Sequence, residues 1–347
     1  MTALTVPAGW EDEASLRPVP WRRMAWVTWR QHRFALTGVA LLLGALAVYV
    51  WIAGLQMHHA YTAATACHPA ASPACGNLFL NVNQMNPVLA SGYLLLAVPA
   101  LIGMFVGAPV LARELETGTF RYAWTQGFGR WRWTLAKLVM LAVVVAAAAG
   151  AVSVLLSWYY QPYFAARNQA LSFSELSPLT PGLFALRGIA FAAWTLAAFA
   201  IAALAGTLIR RVVPAMAAIL AAYTGLAFAA GALLRQHYLT PLVTTKLNAP
   251  VAAWITSQWL TKDGSRFPAN GAHAINLFQR LCPASAPGAK QPLSPAQCFA
   301  QHGYTQWTSY QPASRFWPFQ WIEGGWLLAL SILLIAATIW LVRRRAA

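Results

Sequence analysis

Six runs of residues almost free of charge dominate this chain, and each is long enough to cross a bilayer as a helix. They are Phe34–Leu55, Val88–Leu111, Leu138–Tyr159, Leu183–Ile209, Val213–Leu234 and Gly325–Val342. A backbone in hydrocarbon must satisfy its own hydrogen bonds, so each run is predicted to be helical. Pro99, inside the second run, predicts a kink there. The third run holds the small stretch Ala146 to Gly150, which predicts close approach of a neighbouring helix. Only Arg187, in the fourth run, puts a charge inside any of them.

Composition agrees with a membrane protein. Hydrophobic residues make up 59% of the chain and charged residues only 9%, against about 25% charged in soluble domains. The net charge of +16 forms no single patch of the kind that binds nucleic acid. Its residues fall instead in short groups at the ends of the apolar runs. If the runs alternate in direction, four groups share one side: Arg22, Arg23, Arg30 and Arg33; Arg113, Arg121, Arg130, Arg132 and Lys137; Arg210 and Arg211; and Arg343 to Arg345. The loop Gln56–Pro87 on the other side has neither Lys nor Arg. By the positive-inside rule both termini are expected in the cytoplasm. Residues 1–20 hold Glu11, Asp12 and Glu13 and lack a signal-peptide pattern. We expect them to form a disordered cytoplasmic tail.

Residues 21–33 alternate at helical period. Trp21, Met24, Ala25, Thr28 and Trp29 share one face, and the four arginines share another. Such a helix lies in the membrane interface with its arginines toward anionic headgroups. It serves equally as a plain flanking anchor.

The polar stretch Ala112–Lys137 lies between the second and third runs and therefore closes a helical hairpin in water. It carries Glu114 and Glu116, two of only eight acids in the chain. Gly118 can end the incoming helix in a left-handed conformation, and Thr119 can cap a new one. That short helix would present Phe120, Arg121, Tyr122 and Trp124 to a partner below the membrane. A solvated hairpin loop is the simpler alternative.

The pattern Glu114-x-Glu116-x-Gly118-Thr119, with Arg130 and Lys137 before the next apolar run, resembles the cytoplasmic loop of the ABC type-2 permeases. In that family of exporter membrane subunits the resemblance makes residues 112–133 a coupling loop whose helix docks on a separate ATPase. It makes residues 21–33 an elbow helix and residues 34–234 the first five spans. Residues 235–322 become a large extracytoplasmic domain, and residues 323–347 the sixth span with its basic C-terminus. The fold class so implied is an all-α polytopic membrane protein. The resemblance also implies a dimer of permeases, identical or similar, on ATPases that hold ATP and Mg. Its central cavity, lined by spans two and five, would take a hydrophobic or amphipathic molecule such as a drug, antibiotic or lipid. Tyr93, Phe105, Tyr223 and Phe228 are the candidate lining residues.

The remaining features belong to the outer side. Cys67 and Cys75 share one outer loop and Cys282 and Cys298 the other, so pairing within each loop is the simplest connectivity on an oxidising side. Arg235–Ile322 is too long for an ordinary connection. It ends in the aromatic stretch Tyr310 to Glu323, whose two prolines argue against a single helix. The cluster His58, His59 and His68 fits no metal-ligand pattern, and no metal is expected. Arg187 serves either as an interface anchor or as the ion-pair partner of Glu323. There is no phosphate-binding Gly-x-x-x-x-Gly-Lys-Ser/Thr, no Gly-x-Ser-x-Gly and no His-Glu-x-x-His, so neither ATP binding nor catalysis is expected in this chain. The rival from another class is a non-transporting membrane receptor or anchor whose outer domain binds a ligand or a protein.

Overall fold

A computed structural model describes residues 21–68, 72–84, 94–118, 130–169, 177–245, 252–269, 271–282 and 295–345. Six of its helices are long and apolar enough to cross a membrane. Span one is Trp21–Thr65, span two Val98–Thr117 and span three Arg130–Gln169. Span four is Ala190–Ile209, span five Val212–His237 and span six Phe316–Arg345. The expected all-α polytopic membrane fold is therefore present, with a small sheet added in the segment between spans five and six.

Span one corrects an expectation. The basic stretch 21–33 is not a separate elbow but the first turns of a helix of 45 residues. Nothing from Trp21 to Arg33 is a glycine or proline, so no residue there interrupts helical hydrogen bonding. At ~1.5 Å per residue the helix is about 67 Å long, roughly twice the hydrocarbon core of a bilayer. Its far end is fastened to span three by a ring stack. The Trp158 indole lies between Trp51, at 5.0 Å, and His58, at 4.6 Å. Gly54 makes room for that indole, because a Cβ there would meet it at 2.2 Å.

Span four is the centre of the bundle, packing against spans two, three, five and six. Its sequence, rich in Ala with Gly206, lets backbones approach closely. In the run Ala146 to Gly150, Ala149 is fully buried in the core, while no described residue lies within 4 Å of a Cβ built at Gly150. A tighter approach is found elsewhere. It occurs at Gly103 and Gly107 of span two, a Gly-x-x-x-Gly pair facing span four. A Cβ at Gly103 would meet the Ala198 carbonyl oxygen at 2.9 Å, and one at Gly107 the Ala202 Cβ at 2.7 Å. The same segment, Gly103–Gly107, is a turn of π-helix, so the irregularity expected at Pro99 falls one turn later. Pro99 itself sits in the first turn of its helix, where a missing N–H costs nothing. Gly107→Val is expected to lower stability by ~1–3 kcal/mol. Gly150→Val, with open space around it, should cost far less. Thermal unfolding of the purified protein in detergent checks both.

The predicted fourth run is divided. Pro181–Ala185 is a short helix, and span four begins only at Ala190. Gly188 turns the chain between them at φ 64°, which favours glycine. Ser153 of span three donates to the Gly188 carbonyl at 2.6 Å. Gln320 of span six bridges the break, accepting from Ala190 N at 2.8 Å and donating to the Phe184 carbonyl at 3.1 Å.

Among the described residues, the segment after span five contains four antiparallel strands in the order β1-β4-β2-β3. These are β1 Leu242–Thr244, β2 Trp254–Lys262, β3 Ser265–Pro268 and β4 Thr305–Gln311. Asp263 and Gly264, at φ 48° and 78°, make the two-residue turn between β2 and β3. Trp259 and Trp307 stack across β2 and β4 at 6.2 Å. Both expected disulfides form, Cys67–Cys75 and Cys282–Cys298. The sheet is tied to the bundle where Gln311 donates to the Leu239 carbonyl and Arg315 to the Thr240 carbonyl, each at 2.7 Å. Of the two prolines expected to keep Tyr310–Glu323 from being one helix, Pro312 precedes the helical turns. Pro318 falls in the first turn of span six, where proline is tolerated.

Candidate functional site

The bundle gathers polar side chains at its two ends, with an apolar cleft near one of them. At the first end, span two stops where Gly118 turns left-handed, φ 71° and ψ 4°. This is the break that its residue type predicts. One turn before it, Glu114 accepts a hydrogen bond from Lys137 of span three at 2.6 Å. The lysine is only 1% exposed and the glutamate 17%, so the pair is shielded from the water that weakens surface bridges. Glu116 reaches the other way and accepts from Val212 N at 3.0 Å. Val212 is the first residue of span five, and Arg211 before it offers no side-chain cap. Glu116 therefore supplies, from another helix, both the acceptor and the negative charge that a helix start favours.

The arginines of residues 21–33, at the same membrane depth, are the partners that Glu114 or Glu116 would be expected to take. The structure assigns those roles to Lys137 and to a backbone N–H instead. Arg30 and Arg33 are exposed and lie over Trp26 and Phe34 of their own helix, at 5.4 and 4.8 Å. His32, half-buried in the same stretch, lies within electrostatic range of Lys137 and Arg113. Thr119, Phe120, Arg121, Tyr122 and Trp124 lie outside the described residues.

At the other end one carboxylate organises everything around it. Glu323 is fully buried and Arg235 is 2% exposed. The guanidinium grips the carboxylate through two bonds, Nε to Oε2 at 2.9 Å and Nη2 to Oε1 at 2.7 Å. Its Nη1 donates to the Pro181 carbonyl at 2.9 Å. Trp194 Nε1 donates to Oε1 of the same carboxylate at 2.7 Å, and the Tyr238 hydroxyl donates to its Oε2 at 3.1 Å. Trp326 Nε1 donates to that hydroxyl in turn, at 3.0 Å. Burial, and the charge of Glu323 beside it, raise the Tyr238 phenol above its ordinary value, so it stays a donor. Spans four, five and six and the short helix Pro181–Ala185 thus meet on one ion.

Arg187 does not pair with Glu323. The Gly188 turn sends Arg187 toward Phe164 and Phe316, whose ring centroids lie 4.6 and 5.2 Å from its guanidinium carbon. Arg235, carried on the helical turn that ends span five, takes the carboxylate. Sequence reasoning had placed Arg235 only as the start of the outer segment. Its signal was its place at the end of an apolar run, level with the start of span six.

Beside this ion pair lies a cleft of about 220 Å³, lined by Leu96, Pro99, Phe191, Trp194, Tyr223 and Arg235 among others. Its walls are mostly apolar, and the guanidinium among them is already paired. Of the predicted cavity residues, Tyr223 lines it. Its hydroxyl points to the Leu96 carbonyl at 3.4 Å and its ring meets Trp194 edge-on at 5.6 Å. Phe105 and Phe228 do not; they are 53% and 70% exposed on outer helix faces. Tyr93 lies outside the described residues.

Cys282, Cys298 and His302 come within 4.8 Å of one another, but both cysteines are spent in the disulfide. His58 stacks on Trp158 and lies 3.2 Å from its carbonyl.

The chain matches the family described as "ABC-2 membrane transporter related" over residues 40–235. The match takes in most of span one, spans two to four and nearly all of span five, and ends at the arginine of the buried ion pair. No curated protein and no solved structure matches it.

Proposed function

The chain belongs to the ABC-2 membrane transporter related family and is a multi-pass membrane subunit of a transporter, and we propose that it is the permease of an ATP-driven exporter. In this reading ATP and Mg are held by a separate ATPase subunit, and two permease chains, identical or similar, share the complex. The substrate is a hydrophobic or amphipathic molecule such as a drug, antibiotic or lipid. It is received by apolar surface, of which the cleft at Tyr223 and Trp194 is one part. The end carrying Glu114, Lys137 and Val212 faces the cytoplasm of a bacterial cell, and the sheet and both disulfides lie outside.

The observation that carries this reading is the double brace of the hairpin end. Glu114 joins span two to span three, and Glu116 joins it to the start of span five. A push on residues 112–133 would therefore move three spans together, as coupling to a motor requires. A mere connecting loop has no need of such a brace.

The test is co-purification. The full-length chain, tagged and expressed with the ATPase encoded beside it, is expected to bring that subunit down. The complex in nanodiscs should raise its ATP hydrolysis when amphiphiles are added. A chain that purifies alone, with no nucleotide-dependent transport from any panel of amphiphiles, would favour a membrane receptor or anchor.

A further inference from the structure

At the sheet-bearing end, Arg187 is largely buried, yet its Nε and Nη1 have no hydrogen-bond partner among the described residues. The hydroxyl of Tyr160, a residue with no exposed surface, has none either. Both groups border one ring, that of Phe164. Arg187 stands 4.6 Å from its centroid, and the Tyr160 ring 6.3 Å. Phe316 covers the guanidinium from the side of span six. Burial lowers Arg187 from its ordinary value to about 10, which leaves it cationic at neutral pH. Neither ion pair found among the described residues includes it.

Unsatisfied buried donors are costly, and a cationic one more so than a neutral one. Two guanidinium N–H groups and a phenol hydroxyl beside a shared ring suit an anion offering several oxygens. We propose that Arg187 and Tyr160 form a binding site for the phosphodiester of an anionic membrane lipid. The surroundings point to a lipid as the source of that group. Trp317, beside Phe316, and Trp321 are 56% and 66% exposed near the start of span six. Tryptophans placed so belong at headgroup depth, where an arginine meets lipid phosphates before soluble anions.

The site joins the ends of spans three and six to the turn before span four. A lipid held there would sit beside the break at Gly188 that separates Pro181–Ala185 from span four.

Native mass spectrometry of the full-length protein in detergent tests this with phosphatidylglycerol, a galactolipid of the same acyl chains, and inorganic phosphate as competitor. Arg187→Gln is expected to weaken phosphatidylglycerol binding by about tenfold or more, since hydrogen bonds to a charged group are lost. Tyr160→Phe, which removes one oxygen and keeps the ring, is expected to weaken it about threefold. Arg266→Gln, an exposed site with the same change in net charge, should leave it unchanged. Three outcomes would overturn the proposal. One is unaltered binding in both Arg187→Gln and Tyr160→Phe. Another is equal retention of the galactolipid. The third is displacement of phosphatidylglycerol by millimolar inorganic phosphate, which would reassign the site to a soluble anion.

Discussion

Glu323→Ala is expected to destabilise the protein by about 3–5 kcal/mol, the usual cost of stranding one member of a buried ion pair. The substitution leaves Arg235 charged at 2% exposure and takes the acceptor from Trp194 Nε1 and the Tyr238 hydroxyl as well. Arg235→Ala should approach the same loss from the other side. Removing both charges with packing kept, as in Arg235→Met with Glu323→Leu, should recover much of it, because the desolvation penalty disappears with the pair. A double-mutant cycle on unfolding in mixed micelles or bicelles measures this. Additive single losses would mean that the two residues act independently and that the latch does not exist.

The latch matters to function through its position. Arg235 lines the cleft and holds the Pro181 carbonyl while its other donors hold span six. Any rearrangement that widens the cleft between spans four and five therefore strains or breaks this network. A single buried carboxylate with four donors has few intermediate arrangements, so in the proposed function this end of the bundle would change in steps.

Much of this architecture was legible in the sequence because bilayer physics leaves little freedom. Apolar runs had to be helices, and the cysteines that shared a loop found one another. Gly118 ended its helix as its residue type demands. What was not legible depended on rotation and register. Arg187 and Arg235 both lay near Glu323 in the predicted order of elements, and only the Gly188 turn decides which of them faces it. Likewise the facing of Glu114 toward Lys137 rather than Arg30 depends on how spans two and three roll against each other. Two signals were present and passed over. Gly103-x-x-x-Gly107 marked the span two contact. Asp263-Gly264 between Trp254–Lys262 and Ser265–Pro268 marked a hairpin.

The brace at the hairpin end yields the second large expectation. Glu114→Ala with Glu116→Ala removes the link to Lys137 and the cap on Val212, while Gly118 and the span packing stay intact. Leaving Lys137 unpaired at 1% exposure costs stability, as at Glu323, so the yield should fall, but the complex that assembles should keep its basal ATP hydrolysis. Transport per ATP should fall by roughly tenfold, within the ~1–3 kcal/mol typical of coupling between sites. The most direct test of the proposed permease role is therefore substrate moved per ATP hydrolysed, in proteoliposomes holding the wild-type or doubly substituted complex. The account predicts preserved hydrolysis with lost transport in the double variant; an unchanged ratio would contradict it, leaving Glu114 and Glu116 as parts of a solvated turn.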